Sequence, residues 1–537
     1  MAVSGPPADR WGVQKPYAIG YACGWNQNWW FRGGTAILSV YKIRHKGLEN
    51  LHQTDAQSRV QRRGCEVQLS IEREIELTSQ KGSSLMWQAY GLYELELTIP
   101  PTVYPPREDS SLLDQTIAEL GPGDGKHLLE IGCGSGAISI AAAKRGWIVS
   151  ACDINPLAVA ATRGNASKHG LDWNSEIKEG GPGDIGKWMP DEGADIIAWN
   201  LPYIEPDPVN SLGPMEDSAL IGNDEAKRLM EAIESNPYLL NPNGIVLMLH
   251  SSNQLGHYIG RDWRRRGWAT RNLSHRTIGD ERLTVIACWR PFEGSTTNRL
   301  EKCDSTNDEI LSKGMVEQGT FLSTECQIGG RGYAGRKWFN SEGGFMGSWA
   351  LSGNSINQSP EFLQMASNVA LLDAFSALLD SGLPSHSWVH GSTLEQFGFR
   401  VKWPNDIWLR KGGRIGKLCG ILVEGRTQGD DVQIVLGVGI NKRPNPELDL
   451  SIGWESLFEI EFDELFPVIH ASVASLMEKH ELIPDCKKSD ILNSVYSTMR
   501  RTLSEGGPLA FGLDQNGGLR VPGSTIRTTG DVQWVWD

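Results

Sequence analysis

Glu130-Ile131-Gly132-Cys133-Gly134-Ser135-Gly136 follows the apolar segment HLLEI and precedes a run of small residues with helical character. In that setting the glycines let the backbone turn tightly and let a ligand lie directly on it. About twenty residues further on, the apolar segment IVSACD ends in Asp153, where a carboxylate can accept from a ribose diol. Glu130, at the end of the first strand, is not a phosphate partner. An acid there suits a cationic, phosphate-free nucleoside and favours S-adenosyl-L-methionine over a dinucleotide. A second glycine cluster, Gln327-Ile328-Gly329-Gly330-Arg331-Gly332-Tyr333-Ala334-Gly335-Arg336-Lys337-Trp338, combines glycines with three cations. Such a loop can wrap an anion with backbone N–H groups while its cations neutralise phosphate. It is not a Walker motif. The chain's 61 glycines amount to about 11%, against an average near 7%, and the two clusters hold the informative part of that excess.

The elements that must carry these loops follow from periodicity. Residues 66–77 (EVQLSIEREIEL) and 93–99 (YELELTI) alternate apolar with polar and predict two half-buried strands. Leu112, Leu113, Ile117 and Leu120 mark a helix. Strand, glycine turn, helix and strand then recur to about Pro291, the pattern of an open α/β sheet. FEGSTTN (292–298) reads as a linker. A second α/β segment runs over 299–485, with a helix at 361–380 and strands near 419–424 and 432–440. The last fifty or so residues are short strands separated by turn residues and fit a small β-barrel.

Three segments over roughly 96–291 resemble class I methyltransferases, and within them the HemK-like glutamine methyltransferases. Val103-Tyr104-Pro105-Pro106-Arg107-Glu108-Asp109-Ser110 is similar to the N-terminal motif of the branch that modifies class I release factors. Glu130 to Gly136 with Asp153 resembles the methyl-donor site, and Asp184-Ile185 sits where the adenine-side residues lie. Asn200-Leu201-Pro202-Tyr203 resembles the family's Asn-Pro-Pro-Tyr. The resemblance implies a Rossmann-like sheet holding S-adenosyl-L-methionine with Ser110, Glu130, Gly132, Gly134, Gly136, Asp153, Asp184 and Ile185. It also implies catalysis by Asn200, Pro202 and Tyr203 on a protein glutamine amide. An amide nitrogen is a poor nucleophile, because its lone pair is delocalised into the carbonyl. The Asn200 side-chain oxygen and the Leu201 carbonyl can hold its hydrogens as positive charge develops, while Tyr203 packs on the planar amide. Leu201 in place of the first proline is expected to loosen the loop by freeing one φ angle. Two alternatives stay open. Such motifs also serve exocyclic amines of adenine in DNA and RNA, though the VYPPRED segment and the acidic core weigh against this, and a degenerate binding module is the other.

Asp304-Ser305-Thr306-Asn307, the second glycine cluster, Lys402-Trp403-Pro404-Asn405-Asp406, the stretch from Gly416 to Glu424 and Gly437-Val438-Gly439-Ile440-Asn441 together resemble biotin protein ligases across 299–537. The resemblance implies an α+β catalytic domain and a terminal SH3-like barrel. It implies ATP-dependent formation of biotinyl-5'-AMP, with Mg²⁺ accompanying ATP, and transfer to a lysine of a biotin carboxyl carrier protein. Ser305, Thr306 and Asn307 would hold the ureido ring, and Gln327, Arg331, Gly332 and Tyr333 would surround carboxylate and phosphate. Lys402 would bridge those two groups, with Arg331 beside it as a catalytic cation. Arg336, Trp338 and Asn441 would face the nucleotide. Tyr333 stands where the family pattern has a second arginine, and the lost cation predicts looser retention of the adenylate. A lipoate ligase relative is the alternative.

Composition bounds the rest. At 537 residues, with about 150 per domain, the chain calls for three or four domains. The expected divisions are 1–95, unassigned; 96–291, methyltransferase; 299–485, ligase; and 490–537, terminal barrel. Hydrophobic residues make up 39% and charged residues 22%, which excludes fibrous and disordered classes, and no apolar run reaches the roughly 18 residues of a membrane span. MAVSGPPADR lacks a basic head followed by an apolar stretch, so no secretory signal is expected and the cytoplasm is the default. Nine cysteines occur with no C-x-x-C pair, which predicts reduced, mostly buried thiols and neither zinc nor a disulfide framework. The net charge of −14 argues against broad nucleic-acid binding. Residues 1–65 run the other way, with nine Lys+Arg against three Asp+Glu. Their basic residues between 42 and 63 read as a solvated face or an RNA contact.

Overall fold

Strand β1 (Ser83–Gln88) pairs antiparallel with β2 (Glu94–Ile99), where Leu95, Leu97 and Ile99 are buried and Glu94, Glu96 and Thr98 face outward, as the alternation predicts. The computed structural model describes residues 82–173, 176–184, 187–202, 225–252, 259–332, 335–339, 342–351, 358–379, 397–428, 431–448, 450–499 and 510–526. The expected strand at 66–77 and the basic stretch at 42–63 lie outside them. Helix α1 (Glu108–Glu119) buries Leu112, Leu113 and Ile117, and Glu108 and Asp109 in its first turn suit the positive end of the helix dipole.

The first large sheet follows. Its elements are β3 (His127–Ile131), α2 (Ala137–Lys144), β4 (Ile148–Asp153), α3 (Pro156–Lys168), β5 (Ile177–Glu179), β6 (Ala194–Asn200), α4 (Glu225–Ser235), β7 (Leu240–Ser251), α5 (Ile259–Arg265), β8 (Ala269–Ile278) and β9 (Glu281–Trp289). The strand order is β5-β4-β3-β6-β7-β9-β8, parallel through β7 and closed by an antiparallel hairpin. Every residue of β3 is buried, as expected for a central parallel strand covered on both faces. Chain order reverses between β3 and β6, so the ligand crevice falls at their carboxyl ends. Those ends carry Glu130 to Gly136, Asp153 and Asn200.

The second sheet contains β10 (Thr297–Cys303), β11 (Phe321–Gln327), β12 (Phe345–Leu351), β13 (Phe399–Lys402), β14 (Asp406–Lys411), β15 (Arg414–Gln428) and β16 (Asp431–Ile440), in the order β10-β11-β12-β16-β15-β14-β13. All its pairings are antiparallel except β10 with β11. The helices are α6 (Thr306–Ser312), α7 (Pro360–Leu378), α8 (Phe462–Met477) and α9 (Lys488–Thr498). Helix α7 opens with Ser359 accepting from the Phe362 N–H and with Pro360 at its first position, and is buried over nearly its whole length. Strand β10 begins inside the segment expected as a linker. The terminal residues form a three-stranded antiparallel sheet, β17 (Gly512–Leu513), β18 (Leu519–Val521) and β19 (Ser524–Ile526), rather than a closed barrel among the described residues.

One apolar core runs from Leu113, Leu128 and Leu247 through Trp289 and Phe292 to Phe321, Trp349 and Val473, and so belongs to both large sheets. Among the described residues no helix is long and apolar enough to cross a membrane. Burial pushes the thiols of Cys133, Cys152, Cys288 and Cys419 far above their ordinary range, which keeps them protonated and unreactive.

Candidate functional sites

The first site is built from backbone. Gly132, Gly134 and Gly136 all have positive φ, and a Cβ on Gly136 would lie 2.9 Å from the Thr162 methyl on α3. Gly132 and Cys133 both donate to the Cys152 carbonyl, at 2.8 and 3.1 Å, which ties the turn to β4. Asp153 joins the same turn: its Oδ2 accepts from the Gly134 N–H and its Oδ1 from the Asn155 N–H, both at 2.9 Å. Glu130, 4% exposed, accepts from the Ser139 hydroxyl, and burial pushes its carboxyl up to about 8. It therefore faces helix α2 as a largely neutral acid at pH 7. Asp184 lies on the loop after β5, whose Gly180 N–H donates to the Asp153 carbonyl at 2.9 Å.

Asn200 ends β6. Its Nδ2 donates to Asp109 Oδ2 at 2.9 Å, while Asp109 Oδ1 accepts from the Ser110 N–H and hydroxyl at 2.6 and 3.3 Å. The structure thus brings Ser110, the three glycines, Asp153 and Asn200 to the carboxyl ends of β3, β4 and β6, with Asp184 on the adjoining loop, while Glu130 turns inward to Ser139. Among the described residues the buried Asn200 Oδ1 has no hydrogen-bond partner. Asp109, which sequence reasoning missed as a site residue, sets the orientation of that amide. Leu201 is buried, and its N–H donates to the Leu249 carbonyl at 3.0 Å, a bond proline cannot make. That bond ties the residue to β7 beside the φ angle that leucine leaves free. Pro202 follows half-buried; Tyr203 and Ile185 lie outside the described residues.

The second site is built from side chains. Thr306 donates through its N–H and hydroxyl to Gln327 Oε1, at 2.8 and 3.1 Å. Ser348 Oγ reaches Thr306 Oγ1 and Asn307 Oδ1, both at 2.6 Å, and Asn307 Nδ2 donates to Glu424 Oε2 at 2.7 Å. Arg331 forks onto both oxygens of Asp308 at 2.6 Å and onto Glu424 at 3.1 Å, which lowers the Asp308 carboxyl below its usual range. Thr306, Asn307, Gln327 and Arg331 line a cleft that also includes Ser305, Gly332, Trp338 and Lys417. Trp338 fits only because Gly420 and Gly439 lack Cβ atoms, which would come within 2.6 and 2.4 Å of its ring. Its Nε1, and the Oδ1 of Asn441, are buried without hydrogen-bond partners. Lys402 stands beside the cleft, its ammonium 5.3 Å from the Trp408 ring, with its pKa lowered chiefly by burial and further by Lys417 and Arg336. Lys417, which the sequence reading placed in the Gly416 to Glu424 stretch without a role, pairs with Asp406 at 2.7 Å and lies 5.2 Å from the Trp338 ring. Tyr333 lies outside the described residues. Among the described residues no group of three or more His, Cys, Asp or Glu could hold a metal ion.

Residues 122–275 match the methyltransferase domain family, and 295–441 match the biotin/lipoate A/B protein ligase family. A release factor glutamine methyltransferase of Xylella fastidiosa is 31% identical over 221 residues, 40% of this chain and 73% of that protein. The chain belongs to the HemK-like glutamine methyltransferases, joined to a biotin/lipoate-type protein ligase domain. A putative protein N5-glutamine methyltransferase of Methanocaldococcus jannaschii is 28% identical to the fusion over 201 residues, 36% of this chain and 96% of that protein. A solved biotin protein ligase from Aquifex aeolicus, in complex with biotin and ATP, is 23% identical, covering 44% of the fusion and 94% of that chain at a TM-score of 0.32. The fusion is therefore an enzyme with two activities. The candidate methyltransferase site lies at the ends of β3, β4 and β6, and the candidate ligase site between α6, β11, β15 and β16.

Proposed function

We propose that the methyltransferase half transfers a methyl group from S-adenosyl-L-methionine to a glutamine side-chain amide of a class I release factor. The observation that carries this is the buried Asn200 Oδ1, which has no hydrogen-bond partner among the described residues while its Nδ2 is fixed by Asp109. A primary amide offers N–H groups of the kind that oxygen lacks. Bound on the glycine turn, the donor supplies an electrophilic methyl group. Asp153 holds the ribose diol, and the positive-φ turn through Gly132, Gly134 and Gly136 carries the donor on its backbone. Asn200 Oδ1 and the Leu201 carbonyl accept the two amide hydrogens, which orients the nitrogen lone pair and stabilises charge as the new N–C bond forms. Methylation of isolated release factor by the intact chain tests the reading. Transfer that survives Asn200→Ala at full rate would refute it.

The ligase half biotinylates a carrier-protein lysine. The observation favouring biotin over lipoate is the buried polar group of Thr306, Asn307, Ser348 and Gln327. A ureido ring can share those hydrogen bonds, whereas a dithiolane would leave them facing apolar atoms. The biotin carboxylate attacks the α-phosphate of ATP, pyrophosphate leaves, and the carrier amine then displaces AMP from the mixed anhydride. Lys402, half-buried and partly desolvated, bridges carboxylate and α-phosphate, and those anions favour its charged form. Trp338 Nε1 and Asn441 Oδ1 supply one donor and one acceptor for an adenine edge. Mg²⁺ enters with ATP, screening its phosphates. Incubation of a lysate with labelled methyl donor and labelled biotin, followed by identification of the modified proteins, reads both acceptors at once. Label on a lipoyl domain or on nucleic acid would redirect the corresponding half.

A further inference from the structure

Strand β8 is the edge of the methyltransferase sheet, and edge strands normally need protection from unwanted pairing. Here the ligase helix α8 packs against it. Helix α8 ends at Met477 and α7 at Leu378, and neither has a basic residue in its last turn. Their final carbonyls therefore lack both intrahelical donors and a cation of their own helix. The methyltransferase supplies both. Arg271 of β8, 3% exposed, donates to the carbonyls of Ser475 at 2.9 Å, Pro484 at 2.6 Å and Glu478 at 3.4 Å. Arg265 of α5 donates through Nε to the Ala377 carbonyl, and through Nη2 to that of Leu378 at 3.5 Å. A guanidinium at the end of each helix also meets the negative end of its dipole.

The exchange runs both ways. Glu478, the residue after α8, accepts from the Trp289 indole at 2.7 Å and from the Phe292 N–H at 3.0 Å. Ser475 Oγ accepts from the Thr270 N–H at 2.9 Å. Around these bonds Phe292 meets His470 with ring centroids 5.3 Å apart, and Trp289 meets His480 at 5.7 Å. Both sites abut this boundary. Ser274 of β8 is 2.5 Å, hydroxyl to hydroxyl, from Thr116 of α1, the helix whose first turn carries Asp109. His470 of α8 accepts from the indole of Trp349, the neighbour of Ser348 on β12.

We propose that the methyltransferase fold serves the ligase as a structural subunit, the two halves folding and melting as one cooperative unit through Arg265, Arg271 and Glu478. Separating the halves strands a buried guanidinium on one side and uncapped helix ends on the other, and each loss exceeds what a surface contact carries. This gives the fusion a physical reason that neither chemistry supplies, and it holds whatever each half modifies.

The test uses the whole chain. A protease site placed across Glu293–Thr296 is cut, and the nicked protein is passed over a sizing column at moderate salt; the halves are expected to elute together, and separate elution overturns the proposal. Amide exchange is then followed against temperature in peptides from β3 and β16 of the uncut chain. One shared midpoint is expected, and two well-separated midpoints overturn it. Arg271→Met should lower both midpoints together, whereas a fall confined to β3 contradicts the proposal. Should that variant not fold, the nicking and the exchange on the natural chain still decide.

Discussion

The two sites reach order by opposite means. At the methyltransferase site the turn is fixed by backbone, with three positive-φ glycines and paired donations to one carbonyl of β4, and among the described residues the side-chain oxygen of Asn200 has no hydrogen-bond partner. At the ligase site the side chains satisfy one another, from Gln327 through Thr306, Ser348 and Asn307 to Glu424 and Arg331. The first is a cradle whose shape is costly to change. In the second, a ligand must exchange internal hydrogen bonds for its own, so selectivity arises as a difference between the two sets. Substitutions at the first site should therefore reduce kcat or unfold the turn. Those at the second should act mainly through binding.

The largest effects should come from single groups aimed at developing charge. Asn200→Ala should lower kcat for methyl transfer by about 100-fold to 1,000-fold, the range seen when one transition-state hydrogen-bonding group is removed, with S-adenosylhomocysteine affinity kept in calorimetry. Lys402→Ala should reduce pyrophosphate release by a similar factor of about 100 or more, while methyl transfer stays unchanged. Cross-effects of these two variants on the other half's chemistry would break the comparison.

Next in size is a contrast in pH dependence. Burial raises Glu130 to about 8, so the folded chain holds a proton that the unfolded chain has released above its ordinary value of 4.5. That contribution is complete below pH 4.5 and is lost as pH rises through about 8. Asp308 has the reverse sign. Arg331 lowers it, so its contribution is present above the ordinary carboxylate value and lost only in acid. Melting measured from pH 6.5 to 8.5 should thus fall less steeply in Glu130→Gln than in the natural protein, the remaining slope coming from Glu478, which burial raises to about 7, while Asp308→Asn leaves the slope unaltered. His470 and His480, lowered to about 4 by burial, remain neutral across that range and do not mask the effect.

Much of both sites was legible because glycine and cap positions impose local rules. Gly136 must be glycine for its φ and for Thr162, and Ser305 caps α6 just where the motif places it. The boundary between the halves was not legible. Arg265, Arg271 and Glu478 carry no motif in the sequence, and only the packing of β8 on α8 buries Arg271 and Glu478 and that of α5 on α7 brings Arg265 to its carbonyls. Lys417 and Asp109 were hidden for a related reason. Each sits inside a recognised stretch, but its role comes from a residue distant in the chain, Trp338 for one and Asn200 for the other. The strands of the terminal sheet were anticipated. Among the described residues they form an open three-stranded sheet and not the expected barrel.

The smallest effects probe the side-chain network itself. Ser348→Ala leaves Thr306 Oγ1 and Asn307 Oδ1 without their shared partner, a loss of about 1 to 2 kcal/mol. Because this serine touches the recognition residues and not Lys402, the loss should appear as a roughly tenfold rise in the KM for biotin with kcat nearly unchanged. Leu201→Pro supplies the matching test in the first half. It restores the φ restriction but removes the bond to the Leu249 carbonyl and a buried side chain, losses that outweigh the gain and lower stability. Methyl transfer by that variant should change by less than about threefold, since the acceptor at this position is a carbonyl that either residue provides. A far larger change would mean that loop stiffness, and not the carbonyl, is what the position contributes, and the methyltransferase site would then rely on side-chain packing as much as the ligase site does.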